Sequence, residues 1–442
     1  MKTIRVDLSQ KLGPIKPMNG VGGGPLSGHF TFDNSQYFKE AGIPFGRTHD
    51  IEYPFGSGEY VDIHCVFPNF DADVDDPASY NFIFTDEYLK AMVACGTKPF
   101  YRLGSTIEHQ PIKRYIHPPK DFKKWGEICS HIVAHYNEGW ANGFEMGIEY
   151  WEIWNEPDLI DRCWTGTEEE FIDLYLTAAP IIKNAHPNVK VGGCAFTHVQ
   201  APLAEKWLAA VKENGAPMDF FSWHGYISQP QQAKESSEYA DMLLKKYGFE
   251  DAESIYDEWN YVLRWDNTIQ KSIDLHKTAH CASFVAAVMA TLQDTRTDKA
   301  MYYDVQMCMG GVWNGVFTQG RMQTHGEKMP VNAEKPYDAR TAWNVLKKTG
   351  EQASLEADDG LYAVAAAGKK KVTLLVSNYS DNGKFGSGKV LPDVIKLDWG
   401  AELASASVWV TDGTGTERKL PFNGKELVLL PDSFAVIRAT LK

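Results

Sequence analysis

Between residues 19 and 350, short β-branched and aromatic runs alternate with longer stretches whose apolar positions recur at helical spacing. This predicts strands over 19–23, 45–50, 98–103, 150–157, 189–196, 220–226, 254–260 and 300–306. Helices are expected over 88–95, 121–136, 168–184, 203–214, 237–247, 276–292 and 339–348. Eight successive βα units predict an α/β fold, a closed (β/α)8 TIM barrel over residues 10–350, with its active site at the C-terminal ends of the strands. From 351 to 442 the pattern changes to short segments alternating apolar and polar positions between Gly-, Asp- and Asn-rich turns. That predicts a small antiparallel β-sandwich. The opening strand, within residues 1–9, has no helix after it and is expected to cross over and join that C-terminal sheet. The Asp- and aromatic-rich loop over 52–85 is expected to wall one side of the barrel mouth.

Composition narrows the picture. Of 442 residues, 43 % are hydrophobic and 23 % charged, ordinary globular usage that excludes a disordered chain. The net charge of −14 disfavours a nucleic-acid partner, whose binding is driven by basic residues. No stretch of about 18 apolar residues is present, so no membrane association is expected. The N-terminus lacks the apolar run of a signal peptide, and the seven scattered cysteines form no CxxC pair, which together predict a reducing, cytoplasmic setting.

The chemistry is concentrated at two strand ends. Tyr150 to Asp158 reads YWEIWNEPD, an apolar strand ending in amide, carboxylate and proline. An acid at such a position is solvated at the rim, paired or protonated. Glu156 is the candidate at the mouth; Glu152, two pleats earlier, reads as a deeper structural carboxylate. Three units later Ile255 to Asn260 reads IYDEWN, again ending in acids, with Glu258 the candidate. Carboxylates on opposite arcs of a barrel mouth are the arrangement of glycoside hydrolysis, in which one acid protonates the glycosidic oxygen and the other carboxylate attacks the anomeric carbon.

At these strands the chain resembles the barrel clan of retaining glycosidases, and within it glycoside hydrolase family 39, the β-xylosidase and α-L-iduronidase family. The matching residues are Arg47-Thr48-His49-Asp50, Trp151 to Leu159 (WEIWNEPDL), His224-Gly225-Tyr226, Glu258-Trp259-Asn260 and Lys335-Pro336-Tyr337. The resemblance implies Glu156 as acid/base and Glu258 as nucleophile. It implies Asn155 on the sugar 2-hydroxyl, His49 in the −1 subsite, His224 and Tyr226 bonding the two carboxylates, Arg47 holding Glu258 ionised, and Trp259 at the substrate. It implies an exo-acting β-xylosidase-like enzyme on an oligosaccharide or glycoside, working without cofactor or metal. Alternatives are an iduronidase-like or other glycone specificity, for which Arg102, Arg114 and Arg264 are candidate partners of a sugar carboxylate, and an inactive carbohydrate-binding protein. Asp257 stands where such families place a small hydroxyl residue; strand alternation predicts that it faces the helical layer and meets a basic partner there.

Other motifs weigh less. The glycines at 20–24 lack the third glycine of a dinucleotide fingerprint, since Pro25 stands in its place, and read as a tight rim loop. The acids at 71–76 lack the glycine and terminal glutamate of a calcium loop. The pairs His131/His135 and His276/His280 lack the glutamate of a zinc helix.

Overall fold

The structure, a computed structural model, describes residues 1–25, 34–51, 60–305 and 338–442. After β1 (Lys2–Pro14) come the strands β2 (Gly20–Gly22), β3 (Phe45–Arg47), β4 (Lys98–Leu103), β5 (Tyr150–Ile153), β6 (Lys190–Phe196), β7 (Phe220–Ile227), β8 (Glu253–Tyr261) and β9 (Lys299–Tyr302). β2 to β9 close in chain order into a parallel barrel. The helices are α1 (Ser35–Ala41), α2 (Ile63–Val66), α3 (Ile83–Ala94), α4 (Phe122–Glu138), α5 (Glu168–Ala185), α6 (Pro202–Asn214), α7 (Pro230–Tyr247), α8 (Ile269–Leu275), α9 (Ala279–Gln293) and α10 (Arg340–Thr349). Local chemistry sets their ends. Thr167 and Glu170 form a reciprocal capping box at the start of α5, and glycines 139, 215 and 248 end α4, α6 and α7 in the left-handed conformation.

Several expectations shift. The glycine run supplies β2 itself, because a Cβ at Gly20 would lie 2.7 Å from the carbonyl oxygen of Ala300 on the neighbouring strand. The strand expected over 150–157 stops at Ile153, where Trp154 (φ 73°) and Glu156 (φ 44°) turn the chain off the pleat. The helix expected over 276–292 is α9, which starts three residues later at Ala279, after the separate short helix α8 has ended at Leu275. Residue 306 of the last expected strand, Lys335 to Tyr337, part of the loop at 52–85 and Cys308 lie outside the described residues.

The C-terminal strands are β10 (Glu351–Ala357), β11 (Tyr362–Ala367), β12 (Lys371–Ser377), β13 (Asp393–Asp398), β14 (Leu403–Asp412), β15 (Gly415–Leu420), β16 (Glu426–Leu429) and β17 (Phe434–Leu441). With β1 they form one nine-stranded sheet in the order β15-β14-β17-β12-β11-β10-β1-β13-β16. The sheet is mixed rather than purely antiparallel, since β1 runs parallel to β13. A strand arriving from the far end of the chain has no hairpin to dictate its direction. Val408 and Val410 share one core with Ile395, Leu397, Leu427 and Leu429 from the other end of the sheet, so the sheet curls over itself like a sandwich. Its opposite face joins the barrel's core through Val364, Ala366, Leu375, Phe434 and Val436. Helix α9 lies at this junction and is buried almost all round, as a helix packed on both sides must be.

Candidate active site

Residues pointing into the barrel stack in tiers. The lowest is apolar, made by Phe45, Phe100, Tyr150, Phe220, Ile255 and Met301. Two residues further along five of these strands come Arg47, Arg102, Glu152, Ser222 and Asp257, all fully or almost fully buried. Above them the strand ends open into a cleft of about 720 Å³. His49, Asp50, Glu156, His224, Tyr226, Glu258 and Tyr303 line its inner part, and Arg162, His198, Gln232, Glu235 and Trp265 lie among its outer residues.

Arg47 organises the middle tier. Its Nε donates to Glu152 Oε2 at 2.7 Å and lies 3.0 Å from Asp257 Oδ2, one terminal nitrogen donates to Glu258 Oε2 at 3.0 Å, and the other to Asn155 Oδ1 at 2.7 Å. Ser222 donates to the second oxygen of Glu152 at 2.6 Å. Asp257 thus faces the barrel interior, not the helical layer, and its basic partner is there. The reason is a bulge: Tyr256 and Glu258 of β8 oppose the consecutive residues Trp223 and His224 of β7, so alternation slips by one residue and two successive carboxylates point inward. Buried acids sharing one guanidinium do not all ionise readily. Burial pushes Glu152 up to about 8, while Arg47 and His224 outweigh burial and hold Asp257 below the usual carboxylate range.

The two strand-end glutamates meet around His224. Glu156 Oε1 is 2.8 Å from His224 Nδ1, and Glu258 Oε2 is 3.8 Å from His224 Nε2. Tyr226 donates to Glu258 Oε1. A carboxylate oxygen of each glutamate and a ring nitrogen of His224 lie within 4.8 Å of one another. Burial opposes a charge on His224, but Glu258 and Asp257 outweigh it and raise the imidazole well above its ordinary range, favouring its protonated form between the two acids. Those donor types are also those of a cation site, and His224 Nδ1 is already engaged by Glu156. Burial, reinforced by Glu156, lifts Glu258 above the usual carboxylate range despite His224 and Arg47. Arg47 therefore bonds Glu258 as expected without overcoming its desolvation.

The remaining candidates divide. His49 lines the cleft; burial and then Arg47 push its pKa far down, so it is neutral. Trp259 does not reach the cleft: it is fully buried on the outer face of β8, with its ring 6.1 Å from Phe284 of α9 and 5.2 Å from Tyr302. It sits one residue after the inward Glu258, and alternation turns it away. Arg102 is buried against Asp62, Arg264 reaches the carbonyl oxygen of Gly383, and Arg114 is exposed away from the cleft lining. The spaced histidines have protein partners: His135 stacks on Phe82 and meets Asp86, His276 Nε2 is 2.8 Å from the carbonyl oxygen of Tyr261, and His280 lies between Asp381 and Asp432. Sequence reasoning assigned no role to Asp50, although it adjoins His49, nor to Tyr303, Arg162 or Trp265, whose positions follow from loop paths without a periodic signal.

The family described as glycosyl hydrolases family 39 matches residues 2–309. A β-xylosidase of Caldicellulosiruptor saccharolyticus is 26 % identical over 339 residues, which is 69 % of this chain and 65 % of that relative, under two thirds of its length. Among solved structures, a glucosidase from Croceicoccus marinus superposes with a TM-score of 0.76 at 21 % identity, covering 100 % of this chain and 99 % of that one. A monomeric β-xylosidase from Caulobacter crescentus superposes with a TM-score of 0.69 at 15 % identity, covering all of both chains. These likenesses support the barrel and accessory sheet as a shared fold. With the family match spanning residues 2–309 of 442, the chain belongs to glycosyl hydrolase family 39.

Proposed function

We propose that the chain is a retaining, exo-acting glycosidase of β-xylosidase type, with Glu156 as acid/base and Glu258 as nucleophile. The observation that carries this reading is the gap between them: one carboxylate oxygen of each lies within 4.8 Å of the other's, nearer the about 5–5.5 Å of retaining pairs than the about 6.5–9.5 Å of inverting ones. In the first step Glu156 gives its proton to the glycosidic oxygen while Glu258 attacks the anomeric carbon; the bond to the aglycone breaks and it leaves as an alcohol. In the second step Glu156 takes a proton from water, whose oxygen attacks the same carbon and releases Glu258. Asn155 is oriented for this chemistry because Arg47 occupies its carbonyl oxygen and Cys163 Sγ accepts one Nδ2 hydrogen at 3.8 Å, which leaves the second amide hydrogen to donate to the 2-hydroxyl as positive charge develops on the ring. Trp265, 63 % exposed at the rim with its ring 5.0 Å from that of Tyr226, offers a face on which an aglycone sugar stacks.

Nitrophenyl glycosides of xylose, arabinose, glucose and galactose test the activity, with turnover of the β-xyloside expected. Glu258→Ala should lower kcat by ~10⁴-fold or more, and azide should restore turnover as a glycosyl azide of inverted configuration. NMR of the first-formed sugar should show retention; inversion would sink the double displacement.

A further inference from the structure

We propose that Asp50 binds hydroxyls of a neutral glycone at the inner end of the cleft and that this end disfavours a uronic acid; the inference rests on the glycosidase reading above. Asp50 lines the cleft directly after His49. Tyr303 donates to its Oδ2 at 2.8 Å, while Oδ1 is buried with no hydrogen-bond partner. His49, only 3 % exposed, brings Nε2 to 3.1 Å from that oxygen without completing a hydrogen bond, and its own Nδ1 is also buried and unpartnered. Buried polar atoms are costly when left unsatisfied, so an acceptor and a ring nitrogen left open side by side at the cleft wall form a place for ligand hydroxyls. Asn155 Nδ2 is assigned to the 2-hydroxyl, which leaves Asp50 a hydroxyl further round the ring.

Charge decides the class of sugar. Asp50, Glu156 and Glu258 all face this end. Among the described residues the nearby arginines are turned elsewhere: Arg47 to Glu152, Asp257, Glu258 and Asn155, and Arg102 to Asp62. Arg162 stays on the exposed rim. Among the described residues, a sugar carboxylate placed at this inner end meets three acids and no open guanidinium, and the His224 imidazole is already taken up by Glu156 and Glu258. Burial and then Glu258 push Asp50 up to about 7, so repulsion of a bound anion grows as pH rises through that value.

The test is a set of kcat/KM measurements on wild type, Asp50→Asn and Asp50→Ala with a neutral nitrophenyl glycoside, its 3-deoxy and 4-deoxy analogues, and the corresponding uronide. Asp50→Ala is expected to lose ~10²-fold on the neutral glycoside. That loss should vanish on the one deoxy analogue that lacks the hydroxyl Asp50 accepts from. Wild type should prefer the neutral glycoside to the uronide on the order of 10²-fold, and more above pH 7 than below. Asp50→Asn keeps the shape and should narrow that preference, and it carries the test if the alanine variant does not fold. Equal turnover of the uronide, or the same loss on every deoxy analogue, overturns the proposal. A wild type inactive on every glycoside instead defeats the reading of function on which it rests.

Discussion

The two ends of the barrel are built from the same eight strands and differ in how completely they satisfy their own groups. At the N-terminal end, below the six-residue apolar tier, Glu253 accepts from Tyr150 and pairs with Lys190 and Lys299, while Lys190 also pairs with Glu149 at 2.8 Å. At the C-terminal end, Arg47 and His224 are set against Glu152, Asp257, Glu258 and Glu156, and His49 Nδ1 and Asp50 Oδ1 are buried without hydrogen-bond partners. The first end is closed by its own side chains. The second holds surplus acid and open donors and acceptors, which is stability given up so that a substrate can complete the bonding.

This contrast predicts different consequences for damage at each end. Arg47→Met should have the largest effect, because it strands three buried carboxyls at once: a loss of about 3–5 kcal/mol in urea unfolding, with kcat lowered ~10²–10³-fold in what remains folded. Retention of wild-type kcat would show that the middle tier does not govern the mouth. Phe220→Ala, in the apolar tier, should cost a comparable ~3–5 kcal/mol of stability while leaving kcat/KM of the folded enzyme close to wild type. A fall in kcat/KM there would mean that the two ends are mechanically coupled.

The smallest effect lies outside both ends, at the contact between barrel and sheet. His280 of α9 has Nδ1 3.0 Å from Asp432 and Nε2 3.5 Å from Asp381. Burial opposes its charge, but the carboxylates of Asp381 and Asp432 prevail and raise it to about 8, from an ordinary 6.5. The folded state therefore holds this proton more tightly than the unfolded chain. The resulting stabilisation, about 1–2 kcal/mol, is full below pH 6.5 and is lost as pH rises through 8. Thermal unfolding of wild type should show that slope, and His280→Gln should flatten it; an unchanged slope would place the titrating group elsewhere.

Much of this was legible in the chain. Strand β4 falls where the pattern puts it, because a barrel strand between two helices is a short apolar run with punctuated ends. The meeting of Glu156 and Glu258 at the barrel mouth was legible because acids at the ends of two apolar strands on opposite arcs of a barrel face each other. Asp257 was misplaced because alternation assumes an unbroken pleat, and the bulge on β8 depends on pairing with β7, a neighbour over thirty residues away in sequence. Trp259 was misassigned by the resemblance, although the alternation that turns Glu258 inward turns it outward. Asp50 was passed over because a carboxylate beside a histidine has no meaning until the surrounding charges are located.

Local pattern alone was enough to place most strands and helices, the eight βα units leading into a β-rich tail, and the two glutamates that end strands four and seven of the barrel. Those properties are local: periodicity, caps and turn residues act within a few residues of one another. The spacing of the two glutamates, the partners of Arg47, the inward turn of Asp257 and the bonding left open at His49 and Asp50 arise from the closed barrel. Each of these depends on barrel closure and on register between strands distant in the chain, which bring burial and Coulomb forces to bear on groups that no local pattern relates.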